Sequence, residues 1–372
     1  MTSWAVVKNS DQPAQALALR AAESADITPE KYAAANPPKG ADILVRVSHA
    51  ALNPADLQFM KVIPTWLPFR RGAVPGLDFA GEVIAVGPNV ASVAAHAAKP
   101  LTVGTLVAGC MSVPRVATGH GSLAQYVSVP AEMVSRLPSG LEGAAQGGGN
   151  ASASLSTAVG FLGCAGQTAH LVINDAAAVA AFSVAQPRVL INGASGGVGS
   201  LLIQIAKARG AYVAAVCSAA NADFVKELGA DEAIDYNLHA PLHTYLAKTF
   251  ESQPFNLIYD CVGDQQLFSY SASYLSPNGA LISIVGGPTQ GVVPFVRNKL
   301  VPTFLGGTAR TFKILGMMPS GERARGVAKW VEDGTLKQMP IDSEYKMGDV
   351  VKAYEKLATK RARGKIIIKV QE

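Results

Sequence analysis

The sequence predicts an α/β protein: a β-rich domain followed by a doubly wound parallel sheet. Three observations predict it. Short branched runs bounded by Gly or Pro fill the first third of the chain. Strands alternate with helices from Arg188 to Val285. A Gly-rich turn joins the first of those strands to the first of those helices. At 372 residues the chain is long enough for two domains.

In the first third, residues 42–48 alternate with period two and are rich in branched side chains; residues 79–87 and 101–109 behave alike. The pattern changes after about Leu155. Residues 163–187 read as an enlarged connection. Arg188–Asn192 is a short apolar run, followed by a helix over Val198–Arg209. Strand-like runs at 211–217, 232–235, 255–260 and 280–285 then alternate with helices near 223–228, 242–250 and 265–275. That spacing means a parallel sheet covered on both faces. The tail from Tyr345 to Val370 carries one amphipathic helix and an Ile-rich strand that returns to the first domain. The division expected is therefore 1–155 completed by 319–372, with 156–318 as the second domain. Residues 147–154, rich in Gly and Ser, form the joint.

Composition excludes several classes of protein. Apolar residues are 49% and charged residues 16%, which supports a large core and excludes global disorder. The net charge of +5 is spread without a basic run, which argues against nucleic-acid or polybasic membrane binding. The longest apolar run, Ala176 to Ala185, is about half the ~20 residues of a membrane span. The N-terminus lacks the features of a signal peptide. The cysteines Cys110, Cys164, Cys217 and Cys261 are scattered and include no CxxC pair. A cytoplasmic enzyme is the expectation.

The most informative segment is Ala194-x-Gly196-x-x-Gly199. A small residue permits a tight turn, Gly196 lets a pyrophosphate approach the backbone at a helix N-terminus, and Gly199 lets helix and strand pack closely. Alone the pattern is weak; between a strand and a helix it points to a Rossmann dinucleotide site. Sites for NAD place a carboxylate about 20 residues on, at the tip of the second strand. Here the tip reads Cys217-Ser218-Ala-Ala-Asn221 and holds none. A small hydroxyl leaves room for a 2′-phosphate, so NADPH is expected. Ser218 also suits a helix cap.

Seven markers stand in order: residues 52–56 (Leu-Asn-Pro-Ala-Asp), 75–83 (Pro-Gly-Leu-Asp-Phe-Ala-Gly-Glu-Val), 156–158 (Ser-Thr-Ala), the Gly loop, 228–236, 260–263 (Asp-Cys-Val-Gly) and 364–368 (Gly-Lys-Ile-Ile-Ile). Together they resemble the medium-chain dehydrogenase/reductase superfamily, in its zinc-independent quinone oxidoreductase and enoyl reductase branch. The resemblance spans nearly the whole chain and implies a GroES-like catalytic domain beside the Rossmann domain. It extends to fungal trans-acting enoyl reductases that assist polyketide synthases.

The resemblance implies a site. Asn53 would lie near the nicotinamide ribose or substrate, and Thr157 near the nicotinamide. Ser195, Gly196, Gly197 and Val198 would form the phosphate loop. Ser218, Asn221 and Tyr236 would meet the 2′-phosphate. Val262, Gly263, Ile284, Val285 and Gly286 would face the cofactor, and Lys365 would touch it. Plainer roles exist for some: a turn Asn, a helix start, a strand-end aromatic, a snorkelling lysine. Zinc-dependent relatives place Cys, His-Glu and Cys where this chain has Asn53, Leu77-Asp78 and Ala153. No metal site is expected, because zinc needs three or four such ligands. The six histidines show no paired ligand spacing.

For an activated alkene, hydride goes to the β-carbon and the enolate takes a proton. Some enoyl reductases of the superfamily use a Tyr after the Asn-Pro-x-Asp motif; here residues 57–71 contain none. Lys61 and Thr65 are the donors available, and no general acid is assigned. Trp66 and Phe69 build a substrate wall or core. Three functions follow: an NADPH-dependent quinone or enone/enoyl reductase for a small molecule; a trans-acting enoyl reductase served by an acyl carrier protein, which mild positive charge would suit; or a non-redox protein that keeps the fold. The apolar stretch 310–318 resembles the edge strand through which the family forms homodimers.

Overall fold

The computed structural model describes residues 2–20, 28–67, 70, 72–146, 150–285 and 292–371. It divides into two compact units. Unit 1 comprises residues 1–167, 318–334 and 341–372; unit 2 comprises 168–317 and 335–340. No described helix is long and apolar enough to cross a membrane.

Unit 1 holds β1 (Ser3–Val6), β2 (Leu17–Arg20), β3 (Asp42–Ala51), β4 (Asp78–Val86), β5 (Leu106–Cys110), β6 (Tyr126–Pro130) and β7 (Val134–Arg136). The other strands of the chain are β8 (Arg188–Asn192), β9 (Tyr212–Cys217), β10 (Glu232–Asp235), β11 (Phe255–Asp260), β12 (Leu275–Ser283), β13 (Thr311–Ile314), β14 (Ile341–Lys346) and β15 (Lys365–Lys369). β14 and β15 belong to unit 1. Its main sheet runs β14-β15-β3-β4-β5-β7, with β6 also on β3; β1 and β2 form a separate hairpin. β15 pairs antiparallel with β3, Ile367 opposite Ala51 and Ile368 opposite Ala50.

Period two is lost in β3, where only Arg46 is exposed. The reason is a helix, Ala151–Leu162, packed across β3, β4 and β5, which buries the second face. The same packing moves the unit boundary beyond Leu155, to Gln167. Residues 335–340 return to unit 2, where the Gln204 amide oxygen accepts from the backbone N–H groups of Lys337 and Gln338, 3.0 Å each. Residues 163–187 are not a plain connection. They contain helices Cys164–Ile173 and Ala176–Phe182, the second capped by Asp175. The helix expected over 265–275 stops at Ser269.

One buried group makes unit 1 sensitive to acid. His49 on β3 is fully buried, its ring nitrogens 2.9 Å from Ser48 Oγ and 3.2 Å from Ser152 Oγ. Burial pushes its pKa down to about 4, aided by Lys369 and opposed by Glu344. The unfolded chain, with an ordinary His, binds the proton first. The contribution of His49 to stability is therefore complete above about pH 6.5 and is lost as pH drops toward 4, by up to ~3 kcal/mol. Denaturant titrations of the wild type and of His49→Gln at pH 7 and pH 5 should show the loss as a difference in slope between the two proteins. Equal slopes in the two proteins would refute the assignment.

Unit 2 is a six-stranded parallel sheet in the order β10-β9-β8-β11-β12-β13. Numbered from β8, this is the order 3-2-1-4-5-6, whose switch point lies between β8 and β11. Leu190, Val216, Ile258, Leu281 and Phe268 belong to its core. β13, inside the predicted edge stretch, ends the sheet among the described strands.

Candidate cofactor site and a buried charge network

Parallel strands bring their C-terminal ends to one edge of the sheet. In unit 2 that edge collects the Gly loop after β8, Ser218 and Asn221 after β9, Tyr236 after β10, Val262 and Gly263 after β11, and Ile284 and Val285 after β12. Residues scattered between Gly193 and Val285 thus converge at the switch point, where dinucleotides bind in such sheets. Gly286 lies outside the described residues.

The glycines of the loop do different work. The tight turn belongs to Gly193, at φ +77°, not to Ala194; a Cβ there would meet Val262 Cγ2 at 2.9 Å. Gly199 is required by packing, since its Cβ would lie 2.4 Å from Gly193 O and 2.7 Å from Ala194 Cα. Gly196 differs. Its φ of −79° suits any residue, and the nearest atom to its Cβ would be Gly193 O at 3.5 Å. Nothing in the chain needs a glycine there. The space a side chain would fill is at the N-cap of helix Gly197–Ala208, whose first amides attract an anion. These residues fit a dinucleotide pyrophosphate.

The adenosine end has matching chemistry. Asn221 Nδ2 lies 3.1 Å from Ser195 Oγ and 3.3 Å from Ser218 Oγ. Both hydroxyls accept from the amide, which leaves their own protons to donate elsewhere. Tyr236 is half exposed rather than packed. Thr157, half-buried on the helix Ala151–Leu162, belongs to unit 1.

At the switch point, Asp260 is buried. Burial raises its pKa against the pull of the hydrogen bonds it accepts. Sequence reasoning missed its role; an acid at the end of an apolar strand was the available signal.

In unit 1 the positions of the zinc ligands hold a different construction. Asp78 and Lys365 are almost fully buried and pair at 3.1 Å. The Lys365 ammonium also donates to Leu52 O at 2.9 Å and Asn53 Oδ1 at 2.7 Å. Its three donors are all engaged, so it neither snorkels nor has a proton left for a cofactor. Asn53 Nδ2 donates to Asp78 Oδ2 at 2.9 Å, and the backbone N–H of Cys164 to Asp78 Oδ1 at 2.7 Å. Gly163 is necessary beside them, because a Cβ would meet the Asp78 carboxyl carbon at 2.5 Å. Asn53 is thus turned inward and buried. Asp56, also buried, accepts from the Asn53 N–H at 2.8 Å, and burial raises its pKa to about 8. Leu77 is buried and Ala153 exposed. Among the described residues, no group of three His, Cys, Asp or Glu is placed to hold a metal. The donor set does not fit zinc.

Of the donors considered, Lys61 is exposed near Asp11, 3.8 Å away. Thr65 Oγ1 lies 2.9 Å from Asn9 Oδ1. Trp66 is 79% exposed and so is not core. Phe69 lies outside the described residues.

Comparison with known proteins agrees with this architecture. Residues 39–139 match the alcohol dehydrogenase GroES-like domain model, and residues 228–368 the zinc-binding dehydrogenase model. The chain is 34% identical to a medium chain reductase of an Acremonium species over 88% of its length and 90% of the relative. It is 32% identical to a trans-enoyl reductase of Penicillium oxalicum over 100% of its length and 98% of the relative. Among solved structures, the quinone oxidoreductase from Coxiella burnetii superposes with a TM-score of 0.73 at 24% identity, over 100% of this chain and 99% of that one.

Proposed function

The chain belongs to the medium-chain dehydrogenase/reductase superfamily as an oxidoreductase, and from that premise we propose that it uses NADPH to reduce quinones or activated double bonds, enones and enoyl groups, without zinc. One observation carries the cofactor choice: two serine hydroxyls oriented by Asn221 occupy the tip of β9 and the Gly loop, with no carboxylate at that tip. When bound, NADPH supplies the hydride. The chain binds and orients it. The Gly196 space and the helix N-terminus receive the pyrophosphate; Ser195, Gly197, Val198, Ser218, Asn221 and Tyr236 surround the adenosine phosphates; Val262, Gly263 and Val285 face the nicotinamide. In unit 1, Lys365 holds the Asn53 side chain in place; the nicotinamide roles of Asn53 and Thr157 rest on the resemblance alone. No side chain is assigned to protonate the enolate; solvent suffices for that step.

A second reading has its own support. The relative from Penicillium oxalicum, matched end to end, is a trans-enoyl reductase. In this reading the substrate is an enoyl group on an acyl carrier protein, and the diffuse +5 charge suits an acidic carrier. The edge at β13, unpaired among the described strands, supports a homodimer, which sedimentation would show. NADPH consumption with quinones, enones and enoyl thioesters tests the reaction; no turnover with any class would favour a non-redox role.

Cofactor choice gives a sharper result. The protein should bind NADPH at least ~10-fold more tightly than NADH, about 1.4 kcal/mol. Ser218→Asp should shrink or reverse this by repelling the 2′-phosphate. Equal wild-type affinities in fluorescence titrations would remove the basis for NADPH.

A further inference from the structure

We propose that Asp260 is a positioning residue for the nicotinamide end of the cofactor, holding the tips of β8 and β11 in one frame. The proposal rests on the reading of this sheet edge as a cofactor site and goes beyond the contacts that the resemblance implies.

Asp260 closes β11 and is 2% exposed. One oxygen, Oδ1, accepts three hydrogen bonds of 3.0 Å: from Asn192 Nδ2 at the end of β8, and from the backbone N–H groups of Val262 and Gly263. Its other oxygen lies 3.3 Å from Ser283 Oγ at the end of β12. The Ser283 hydroxyl has one proton, and its shorter contact is Val285 O at 2.6 Å. The proton therefore goes to Val285, and the 283–285 turn is tied down beside the carboxylate.

Among the described residues no Lys, Arg or His forms an ion pair with Asp260; the carboxylate is held by dipoles alone. A buried, uncompensated carboxylate is unfavourable for stability. A plain strand end needs no such group. What this one does is local. Two successive amides converge on one oxygen, which fixes a turn containing Gly263 at φ +94°. With both N–H groups drawn inward, the Val262 side chain faces out, 55% exposed. It leans on Gly193, where a Cβ would meet it at 2.9 Å, so the frame extends to the start of the phosphate loop. The Val262 and Gly263 amides thus donate to the Asp260 carboxylate, the Ile284 N–H donates to its backbone carbonyl and the Val285 carbonyl accepts from Ser283, while Ser195, Ser218 and Asn221 bond to one another at the adenosine end.

That asymmetry provides the test. The probes are NADPH and adenosine 2′,5′-bisphosphate, which has the adenosine and 2′-phosphate but no nicotinamide. Asp260→Ala should weaken NADPH at least ~10-fold and leave the bisphosphate within about twofold, by fluorescence titration and calorimetry. Asp260→Asn retains an acceptor for both amides and should stay near the wild type. Gly263→Ala, which distorts the same turn but leaves the carboxylate, should repeat the alanine pattern and serves if Asp260→Ala does not fold. Unchanged NADPH affinity in Asp260→Ala or Gly263→Ala overturns the proposal. So does equal loss of both probes, which marks a merely structural role. A wild type that binds neither probe refutes the cofactor site itself.

Discussion

Lys365→Met should destabilise unit 1 by about 3–5 kcal/mol, because it removes one partner of a buried pair and leaves the other charged. Asp78 is wholly inaccessible, and its remaining donors, Asn53 Nδ2 and the Cys164 N–H, are neutral. The Leu52 carbonyl and Asn53 Oδ1 lose their shared donor as well. Met fills a similar volume, so a cavity contributes little. Chemical denaturation followed by Trp fluorescence measures the loss, since Trp4 is in this unit, its indole N–H 2.7 Å from Met347 O. Adding Asp78→Asn should recover part of it, because the orphaned charge is then gone. Wild-type stability in Lys365→Met would mean that the pair contributes nothing.

Gly196→Val should abolish NADPH binding, at least ~100-fold in affinity, while the fold remains. The structure sharpens the argument. The dihedrals at Gly196 are ordinary and the nearest atom to a Cβ is at 3.5 Å, so the cost to the chain is about 1 kcal/mol, from a poorer N-cap. Gly199→Val is the contrast: its clash with Gly193 and Ala194 lies inside the protein, and it should lower the melting temperature first. Titration beside a thermal melt separates the two. A folded Gly196→Val that binds NADPH like the wild type would place the cofactor elsewhere and remove the main support for the proposed cofactor site.

The cofactor edge was legible in sequence because its signals are local. A strand, a Gly turn and a helix follow one another within about 20 residues, and strand–helix alternation then dictates which ends meet. Local signals also misled. Ala194 stood at the first position of the motif, yet Gly193, one residue earlier, makes the turn; φ is not written in a spacing pattern. The charge network was invisible for the opposite reason. Lys365 sits 287 residues from Asp78 and 312 from Asn53, and a lysine opening an Ile run looks like a surface residue until its strand is placed in the middle of a sheet. Likewise His49 reads as one of six scattered histidines until a helix covers β3.

The position of β15 has a consequence for how the molecule is made. Synthesis runs from the N-terminus, and β15 lies inside the unit 1 sheet, between β14 and β3. Most of unit 2, residues 168–317, is contiguous and emerges while the C-terminal end of β3 still lacks β15. The unit begun first is therefore finished last. Until Lys369 leaves the ribosome, residues 49–51 at the end of β3 lack their partner strand and Asp78 lacks Lys365. That interval is when a nascent chain of this kind needs shielding from its neighbours.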